Sequence, residues 1–466
     1  MLMNVILTMS SILFPLITLP YVSRVLGPEA MGKVFFASSV ITIMSVFAEL
    51  GIPVYGIRAC AKVRDDREKL SRTVREILTV NLITCLAVYL LLAVMLIFVP
   101  KFAGNRELLL IMSSLIVLNA IGVEWLYKAL EKYTYITIRS LIFKLIALVA
   151  MFMMIKEQSD YIVYGALTIF AAAASNILNF INLHRYVDPC PRSELDLKQH
   201  LPSMLMLFAL AAAAAIYTNL DLAFLEFMKG DREAGLYGVA VKIKLVLVNI
   251  ITAVSAVLLP RMSFYYEKGR NGEFDHLLIS TLTAVNIISI PAVVYFVIYA
   301  EECILILAGP EFSGAVLPMR IIVPAAVIIG ISNVVGMQML VPIGREDIVI
   351  RAAWIGAATE VLLNIVFIPR FASAGAATAT LAAEIFVMLY LLRGASRLTE
   401  GYTRLGIPDW RIIVSACTAG FAGILIVNVD AGTFARLVLG AICCFGVYAA
   451  CMGILYRLTS AGRDRA

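Results

Sequence analysis

The chain has 466 residues, of which 61% are hydrophobic and only 15% are charged, and its mean hydropathy is +0.92. A soluble domain has roughly 45–50% apolar and about 25% charged residues. So many apolar side chains cannot all be hidden from water inside a globule, which excludes a soluble domain and indicates a membrane protein. The formal charge of +6 lies in the polar loops and favours contact with anionic lipid rather than with nucleic acid.

Apolar runs of about 18–25 residues follow one another along the chain, and this is the length that a helix needs to cross about 30 Å of hydrocarbon. The first run lacks a small-residue cleavage site, so we expect a retained span rather than a signal peptide. The pattern predicts an all-α, polytopic membrane protein of about fourteen transmembrane helices. The predicted spans lie near residues 3–22, 34–56, 76–99, 108–127, 136–155, 161–183, 202–223, 235–259, 277–299, 315–341, 347–368, 374–393, 411–428 and 434–456.

Lysine and arginine are distributed unevenly between the two sets of loops that alternate along the chain. One set, together with the C-terminal tail, holds 26 of these cations, and the other set holds nine. Cytoplasmic loops carry an excess of Lys and Arg. We therefore predict a multi-pass protein of the cytoplasmic (inner) membrane with both termini in the cytoplasm.

A short turn is repeated in the two halves of the chain. GPEAMG follows the first span at residues 27–32, and GDREAG follows the seventh span at residues 230–235, with the same glycine spacing. A duplication of six helices in parallel orientation, which is one architecture of transporters, would produce such a repeat. We predict a six-helix lobe at 1–183, a second in pseudo-two-fold relation to it at 203–393, and two extra helices with a cytoplasmic tail at 394–466.

The stretch between the two predicted lobes is polar. Residues 184–202 contain three prolines and no apolar run, whereas almost everything on either side is hydrophobic. We interpret this stretch as a cytoplasmic linker that tolerates insertions.

The chain shows no pattern that is typical of an enzyme or a metal site. Its eight cysteines form no CxxC pair and its three histidines do not cluster in the sequence, so we expect free thiols and no metal ligands. No GxxxxGK[ST] phosphate-binding loop and no nucleophile–base–acid set is present. We therefore expect no catalytic residues, no cofactor and no ATP hydrolysis within this chain.

Charged residues inside predicted spans are the candidates for function, because each costs about 2.5–3.5 kcal/mol at mid-bilayer on insertion scales. Lys242 lies about two turns into the eighth span, where it could attract a diphosphate in a cavity of low dielectric constant. The alternative is a buried ion pair with Asp221 of the neighbouring span. Lys244 points about 200° away on the same helix and ranks lower.

Four further charged residues are candidates for a cavity. Arg320, Arg24 and Arg58 lie near span ends, where each could bind phosphate oxygens or simply extend to the membrane interface. Glu49 lies deep in the second span and has no cation four residues away on its helix. We expect Glu49 to face the cavity.

Residues at the end of the fourth span have simpler explanations. Glu124 precedes Lys128 by four residues, so an ion pair along the helix accounts for both. Trp125 and Tyr127 are predicted to belong to an interfacial aromatic belt.

Six stretches along almost the whole chain resemble the polysaccharide-unit (O-antigen or capsule repeat-unit, Wzx-type) flippases of the multidrug/oligosaccharidyl-lipid/polysaccharide exporter superfamily. Glu360 departs from the family pattern, where a neutral residue is expected. The matching stretches are LPYVSRVLGPEAMGKVFFA (19–37), AELGIPVYGIRACAKVRDD (48–66), GVEWLYKALEKYTYITIRS (122–140), NLDLAFLEFMKGDREAGLYGVAVKI (219–243), LPMRIIVPAAVIIGISNVVGMQMLVPIGRED (317–347) and NIVFIPRFASAGAATATLAAE (364–384).

The resemblance implies a protein that moves an oligosaccharide carried on undecaprenyl diphosphate from the inner to the outer leaflet by alternating access. Membrane lipid, a polysaccharide polymerase and the chain-length machinery would be its partners. A cation-coupled multidrug exporter of the same fold is the alternative, but the first span lacks the acidic residue that this function predicts. A membrane glycosyltransferase or polymerase is disfavoured because the longest loops have only about twenty residues.

Overall fold

The structure is a computed structural model that describes residues 2–188, 195–256, 258–397, 408–427 and 432–463. Its regular elements in these ranges are helices, which confirms the predicted all-α fold. The main helices are α1 (Leu2–Glu49), α2 (Ile52–Lys62), α3 (Arg67–Phe98), α4 (Pro100–Gly104), α5 (Arg106–Gly122), α6 (Glu124–Ala129), α7 (Tyr133–Met154), α8 (Tyr161–Ile169), α9 (Asn176–Asn182), α10 (Leu201–Lys229), α11 (Asp231–Ala256), α12 (Leu259–Glu267), α13 (Asn271–Ile298), α14 (Ala300–Leu307), α15 (Val316–Ile322), α16 (Ala325–Asn333), α17 (Glu346–Ser396), α18 (Trp410–Val427) and α19 (Thr433–Arg463).

The helices account for the predicted spans. By length and apolar composition, ten helices of the described residues can cross a membrane, or eleven if Pro310–Ile322 and Ala325–Leu340, which meet at a bend of 42°, form one broken span. Helix α17 contains two predicted spans, α1 contains the first predicted span and most of the second, and α5, with 17 residues, contains most of the fourth. The chain is a polytopic membrane protein with about the predicted number of spans.

Helix α1 is broken at the first of the two repeated turns. Gly27 has φ 71° and ψ 174°, a conformation that glycine adopts without a steric penalty. Pro28 follows and has no backbone N–H to donate to the preceding turn. Residues 2–26 and 28–49 are therefore two separate arms.

Helix α17 is a hairpin rather than one long rod. Its backbone leaves the helical region at Ala372, which has φ 49° and ψ −129°. Across the break, Oγ1 of Thr380 donates a hydrogen bond of 2.9 Å to Oε1 of Glu360. A straight helix would hold residues twenty positions apart at a distance of about 30 Å, so the two arms of α17 must lie side by side.

The chain divides into two compact units, Met1–Gly235 and Leu236–Ala466. The first unit includes α10, which corresponds to the seventh predicted span and packs against α1. This boundary follows Gly235, whereas the predicted linker between the lobes lies at residues 184–202. The two differ because the compact units reflect how the helices pack, whereas the lobes were predicted from a repeat in the sequence. The division into two six-helix lobes stays a prediction.

The described C-terminal part of the predicted linker is anchored to helix α3. The buried Glu76 of α3 accepts hydrogen bonds from the backbone N–H of Asp196 at 3.0 Å and from Nε2 of Gln199 at 3.1 Å. His200 lies 2.9 Å from the same carboxylate through Nε2, and its Nδ1 lies 2.6 Å from the hydroxyl of Tyr55. Residues 189–194, the middle of the predicted linker, lie outside the described residues.

The residues at the start of α6 correct one prediction and confirm another. Glu124 and Lys128 form the predicted ion pair at 2.8 Å. Trp125 and Tyr127, however, are 5% and 0% exposed and belong to the apolar core of the first unit, so the prediction of an interfacial aromatic belt was wrong. The hydroxyl of Tyr127 donates to the backbone carbonyl of Asn179 at 2.7 Å, which lets this polar atom be buried.

Candidate functional site

The predicted site residues differ in exposure. Arg24, Arg58 and Arg320 are exposed, Lys242 and Glu49 are half-buried, and Asp221 is buried. Arg24 donates from Nη1 to the backbone carbonyl of Pro20, and the carboxylate of Asp221 accepts from the N–H of Leu222 at 2.8 Å. Lys242 and Asp221 belong to different compact units, and an ion pair between them stays a prediction.

Glu49 lies in a hydrogen-bonded group of neutral polar side chains in the first unit. Its Oε1 accepts from Oγ of Ser45 at 3.1 Å and from Nδ2 of Asn119 at 3.0 Å. Asn119 in turn accepts from Nδ2 of Asn176 at 3.4 Å. Both of these donors to Glu49 are neutral side chains.

The polar group around Glu49 continues into a buried arginine. Arg139 donates to Oδ1 of Asn176 at 3.2 Å and to the backbone carbonyl of Ser175 at 2.6 Å. Its guanidinium also lies 4.0 Å from the carboxylate of Glu124. Polar groups can be buried at low cost when they are hydrogen-bonded, so this chain of partners accounts for a series of polar residues inside the apolar helices.

The two repeated glycine turns contact each other directly, and the contact is reciprocal. A Cβ atom on Gly32 would overlap the backbone carbonyl of Asp231, and a Cβ atom on Gly235 would overlap the backbone carbonyl of Pro28. In each case the sixth residue of one turn meets the second residue of the other. Such an exchange is typical of a contact with two-fold symmetry, so it supports the duplication inferred from the sequence. We call residues 27–32 and 230–235 the turn pair.

Four charged residues lie within or next to the turn pair. Nζ of Lys101 lies 2.9 Å from Oε1 of Glu226 and 3.2 Å from Oδ1 of Asp231. Nζ of Lys33 lies 3.8 Å from Oδ2 of Asp231 and 5.0 Å from the ring centre of Tyr161. Glu226 is only 1% exposed, so its charge depends on a neighbouring cation. We call Lys33, Lys101, Glu226 and Asp231 the ion cluster.

Lys101 lies between two spans, and its charge is reinforced by its neighbours. Burial acts to lower the pKa of Lys101, but the hydrogen bonds and charges of Glu226 and Asp231 outweigh burial and raise the pKa above its usual value. The ammonium form is therefore present throughout the neutral pH range.

Aromatic rings and an apolar cavity lie next to the ion cluster in the first unit. The rings of Phe36, Phe102 and Phe227 contact one another with centroids 5.8–6.0 Å apart. The cavity has a volume of about 330 Å³. Its lining is entirely apolar and consists of Val40, Ile43, Met44, Phe47, Val88, Leu91, Met95, Val99, Phe102, Leu220, Ala223 and Phe227.

The second unit contains a buried carboxyl group at the position that departs from the family pattern. The buried Glu360 accepts from Thr380, whose hydroxyl also lies 2.9 Å from the hydroxyl of Tyr237. These contacts join the two arms of α17 to α11. Glu360 therefore has a structural role: it helps to hold the two arms of the α17 hairpin together.

The turn pair and the ion cluster were not predicted as a site, although the sequence contains a signal for them. Lys33 directly follows the last glycine of the first turn, and Asp231 directly follows the first glycine of the second. A repeated turn with a lysine directly after one copy and an aspartate within the other is a candidate for an ion pair between the two copies. The sequence could not show that the two copies meet, because Lys33 and Asp231 are far apart along the chain and only the fold brings them together.

Solved structures with a similar fold support the description of the helices. The inward closed conformation of the lipid II flippase MurJ matches with a TM-score of 0.77 at 16% identity, over 98% of this chain and 99% of that chain. An inward-facing multidrug resistance MATE family transporter matches with a TM-score of 0.67 at 14% identity, over 87% of this chain and 99% of that chain. At these identities the likeness shows the fold.

Relatives and a family model match the sequence itself. A putative O-antigen transporter of Escherichia coli K12 is 24% identical over 386 residues, which are 82% of this chain and 92% of the relative. The probable flippase AglR of Haloferax volcanii is 29% identical over 167 residues, which are 35% of each chain. The model of the family described as "Polysaccharide biosynthesis protein" matches residues 1–265, more than half of the chain. The chain belongs to this polysaccharide biosynthesis protein family.

Proposed function

We propose that this protein is a flippase that moves oligosaccharide units linked to undecaprenyl diphosphate from the inner to the outer leaflet, for surface polysaccharide assembly. The observation that carries the proposal is the turn pair with its ion cluster. A contact held by backbone proximity and a few ion pairs can form and separate, as alternating access requires. The family and its O-antigen transporter relatives support the choice of a lipid-linked glycan as substrate.

The alternative function is a cation-coupled multidrug exporter. The MATE likeness is weaker than the MurJ likeness, with TM-scores of 0.67 and 0.77. The first predicted span also lacks an acidic residue. Both observations favour the flippase, which acts as a transporter rather than an enzyme and works beside a polysaccharide polymerase and chain-length machinery.

The proposed location is the cytoplasmic membrane with both termini in the cytoplasm. The excess of loop cations on one side supports this orientation. A reporter enzyme that is active only outside the cytoplasm, fused after the C-terminus, should give no activity, whereas a cytoplasmic reporter at the same place should be active. The reverse pattern would contradict the orientation.

The proposed substrate site is centred on Lys242. A diphosphate is a compact anion with several charges, and a half-buried ammonium group attracts it more strongly than an exposed one does. The half-buried position of Lys242 on α11 supports its leading role. The further cavity residues of the proposal are Arg320, Arg24, Arg58, Glu49 and Asp221.

Lys242→Ala should reduce surface display of the glycan at least tenfold in a strain that lacks its own flippase, while the protein remains in the membrane fraction. Lys242→Arg should keep part of the activity because the charge remains. Lys229→Ala, which removes an exposed lysine at the end of α10, is the matched control and should display normally.

Two outcomes would change this assignment. Normal surface display of the glycan by Lys242→Ala would exclude this lysine from anion binding. Recovery of display in the double variant Lys242→Ala/Asp221→Asn would show that the lysine neutralises a buried acid instead, because the double variant leaves no unpaired charge.

A further inference from the structure

A second cavity, in the unit Leu236–Ala466, is lined mainly by arginine. Its volume is about 510 Å³. The lining residues are Arg345, Ile348, Arg351, Tyr390, Arg393, Gly394 and Arg397. We call it the arginine cavity.

The hairpin of α17 brings these arginines together. Arg345 and Arg351 lie at the beginning of the helix, and Arg393 and Arg397 lie at its end. A Cβ atom on Gly394 would meet the side chain of Ile348, so the two ends of α17 are in direct contact.

The arginine cavity carries an excess of positive charge. Asp347 pairs with Arg345 at 3.1 Å and with Arg351 at 3.5 Å. Within the part of the chain that the structure describes, Arg393 and Arg397 form no ion pair. Like charges within a Debye length of about 8–10 Å repel each other, so an anion in the cavity would relieve this repulsion.

Apolar surface extends from the cavity along both arms of the hairpin. Leu389 and Phe386 precede Arg393 by four and seven residues and are each 52% exposed, and Trp354 follows Arg351 by three residues and is 45% exposed. Residues at these spacings share a helix face. A ligand with an anionic head and an apolar tail would therefore find a surface for each part.

We propose that the arginine cavity binds the phosphate group of an anionic phospholipid in the cytoplasmic leaflet. Guanidinium groups bind phosphate oxygens in a bidentate manner, and basic pockets between transmembrane helices on the cytoplasmic side bind lipid head groups. An excess of cytoplasmic cations alone explains separate arginines at an interface, but it does not explain a cavity that four of them line. The inference uses the orientation proposed above and does not depend on the transported substrate.

The test measures thermal unfolding of the purified full-length protein. Phosphatidylglycerol should raise the unfolding temperature, whereas phosphatidylcholine with the same acyl chains should not. In Arg393→Gln/Arg397→Gln the phosphatidylglycerol concentration needed for half of the shift should rise at least tenfold. Arg261→Gln/Lys268→Gln, which removes two exposed cations outside the cavity, is the matched control and should respond like the wild type.

Three results would overturn the proposal. An equal response of the cavity variant and the wild type to phosphatidylglycerol would exclude the cavity as the site. An equal response of the wild type to inorganic diphosphate and to phosphatidylglycerol would assign the site to a soluble phosphate rather than to a lipid. If the glutamine variant does not fold, Arg393→Lys/Arg397→Lys keeps the charge and removes the bidentate geometry, and an unchanged affinity in that variant would contradict the proposed phosphate contact.

Discussion

Gly32→Ala and Gly235→Ala should each lower glycan display at least tenfold. A Cβ atom at either position overlaps a backbone carbonyl of the opposite turn, and backbone cannot move aside as a flexible side chain can. Overpacking of this kind typically costs about 1–3 kcal/mol. Because the contact is reciprocal, the two variants should have similar effects, which unrelated positions would not share.

Gly104→Ala is the control for the glycine variants. Gly104 lies in α4, and a Cβ atom there would meet nothing within 4 Å. It should leave display and membrane insertion unchanged. Normal display by Gly32→Ala, or an equal loss by Gly104→Ala, would contradict the importance of the turn pair.

A cysteine at the contact between α1 and α10 can distinguish opening of the turn pair from unfolding of the protein. We call the state in which the two turns are in contact the closed turn pair. Ser39 is buried, and its hydroxyl donates to the backbone carbonyl of Asn219. In a chain whose eight native cysteines are replaced, Ser39→Cys should react slowly with a membrane-impermeant reagent added from outside. Addition of Gly32→Ala should accelerate the reaction, because α1 and α10 separate when the turn pair opens. An unchanged rate would contradict closure by the turn pair.

Lys101→Ala should destabilise the closed turn pair more than any other single change in the ion cluster. It leaves the buried carboxylate of Glu226 without its partner at 2.9 Å. Removing one member of a fully buried pair costs about 3–5 kcal/mol, and we expect about 2 kcal/mol here because Lys101 itself is partly exposed. That corresponds to a roughly thirtyfold increase in the open fraction, measured as faster labelling of Ser39→Cys.

The double variant Lys101→Ala/Glu226→Gln should label more slowly than Lys101→Ala, since no unpaired buried carboxylate remains. Lys156→Ala removes an exposed lysine elsewhere and should have no effect. Equal labelling of the single and double variants would argue against an ion pair between Lys101 and Glu226.

The contribution of Lys101 to closure of the turn pair depends on pH through the raised pKa of this lysine. A lysine whose pKa is higher in the folded protein stabilises the fold fully below its usual pKa, and this contribution is lost as the pH rises through the folded-state pKa. The charge of Lys101 itself should therefore be constant between about pH 6 and about pH 9, since the usual pKa of lysine is about 10.4. A loss of closure within this range would have to come from another group.

The sequence by itself determined the class of protein, the approximate number of spans and the repeated turn. Apolar runs of membrane-spanning length and the spacing of Gly27, Gly32, Gly230 and Gly235 are local patterns, and local patterns can be recognised without knowledge of the fold. The ion pair of Glu124 and Lys128 was predictable for the same reason, because four residues of helix fix the distance between them.

Only the tertiary structure decided which distant residues meet. The contact between the two turns, the ion pair of Lys101 with Glu226 and the arginine cavity all join residues far apart along the chain. Trp125 and Tyr127 were misassigned because an aromatic residue near a span end has the same sequence pattern whether it faces lipid or packs in the core. Tertiary packing, rather than the spacing of residues along a helix, determines which side chains are buried and which charges pair. These features therefore could not be predicted from the sequence alone.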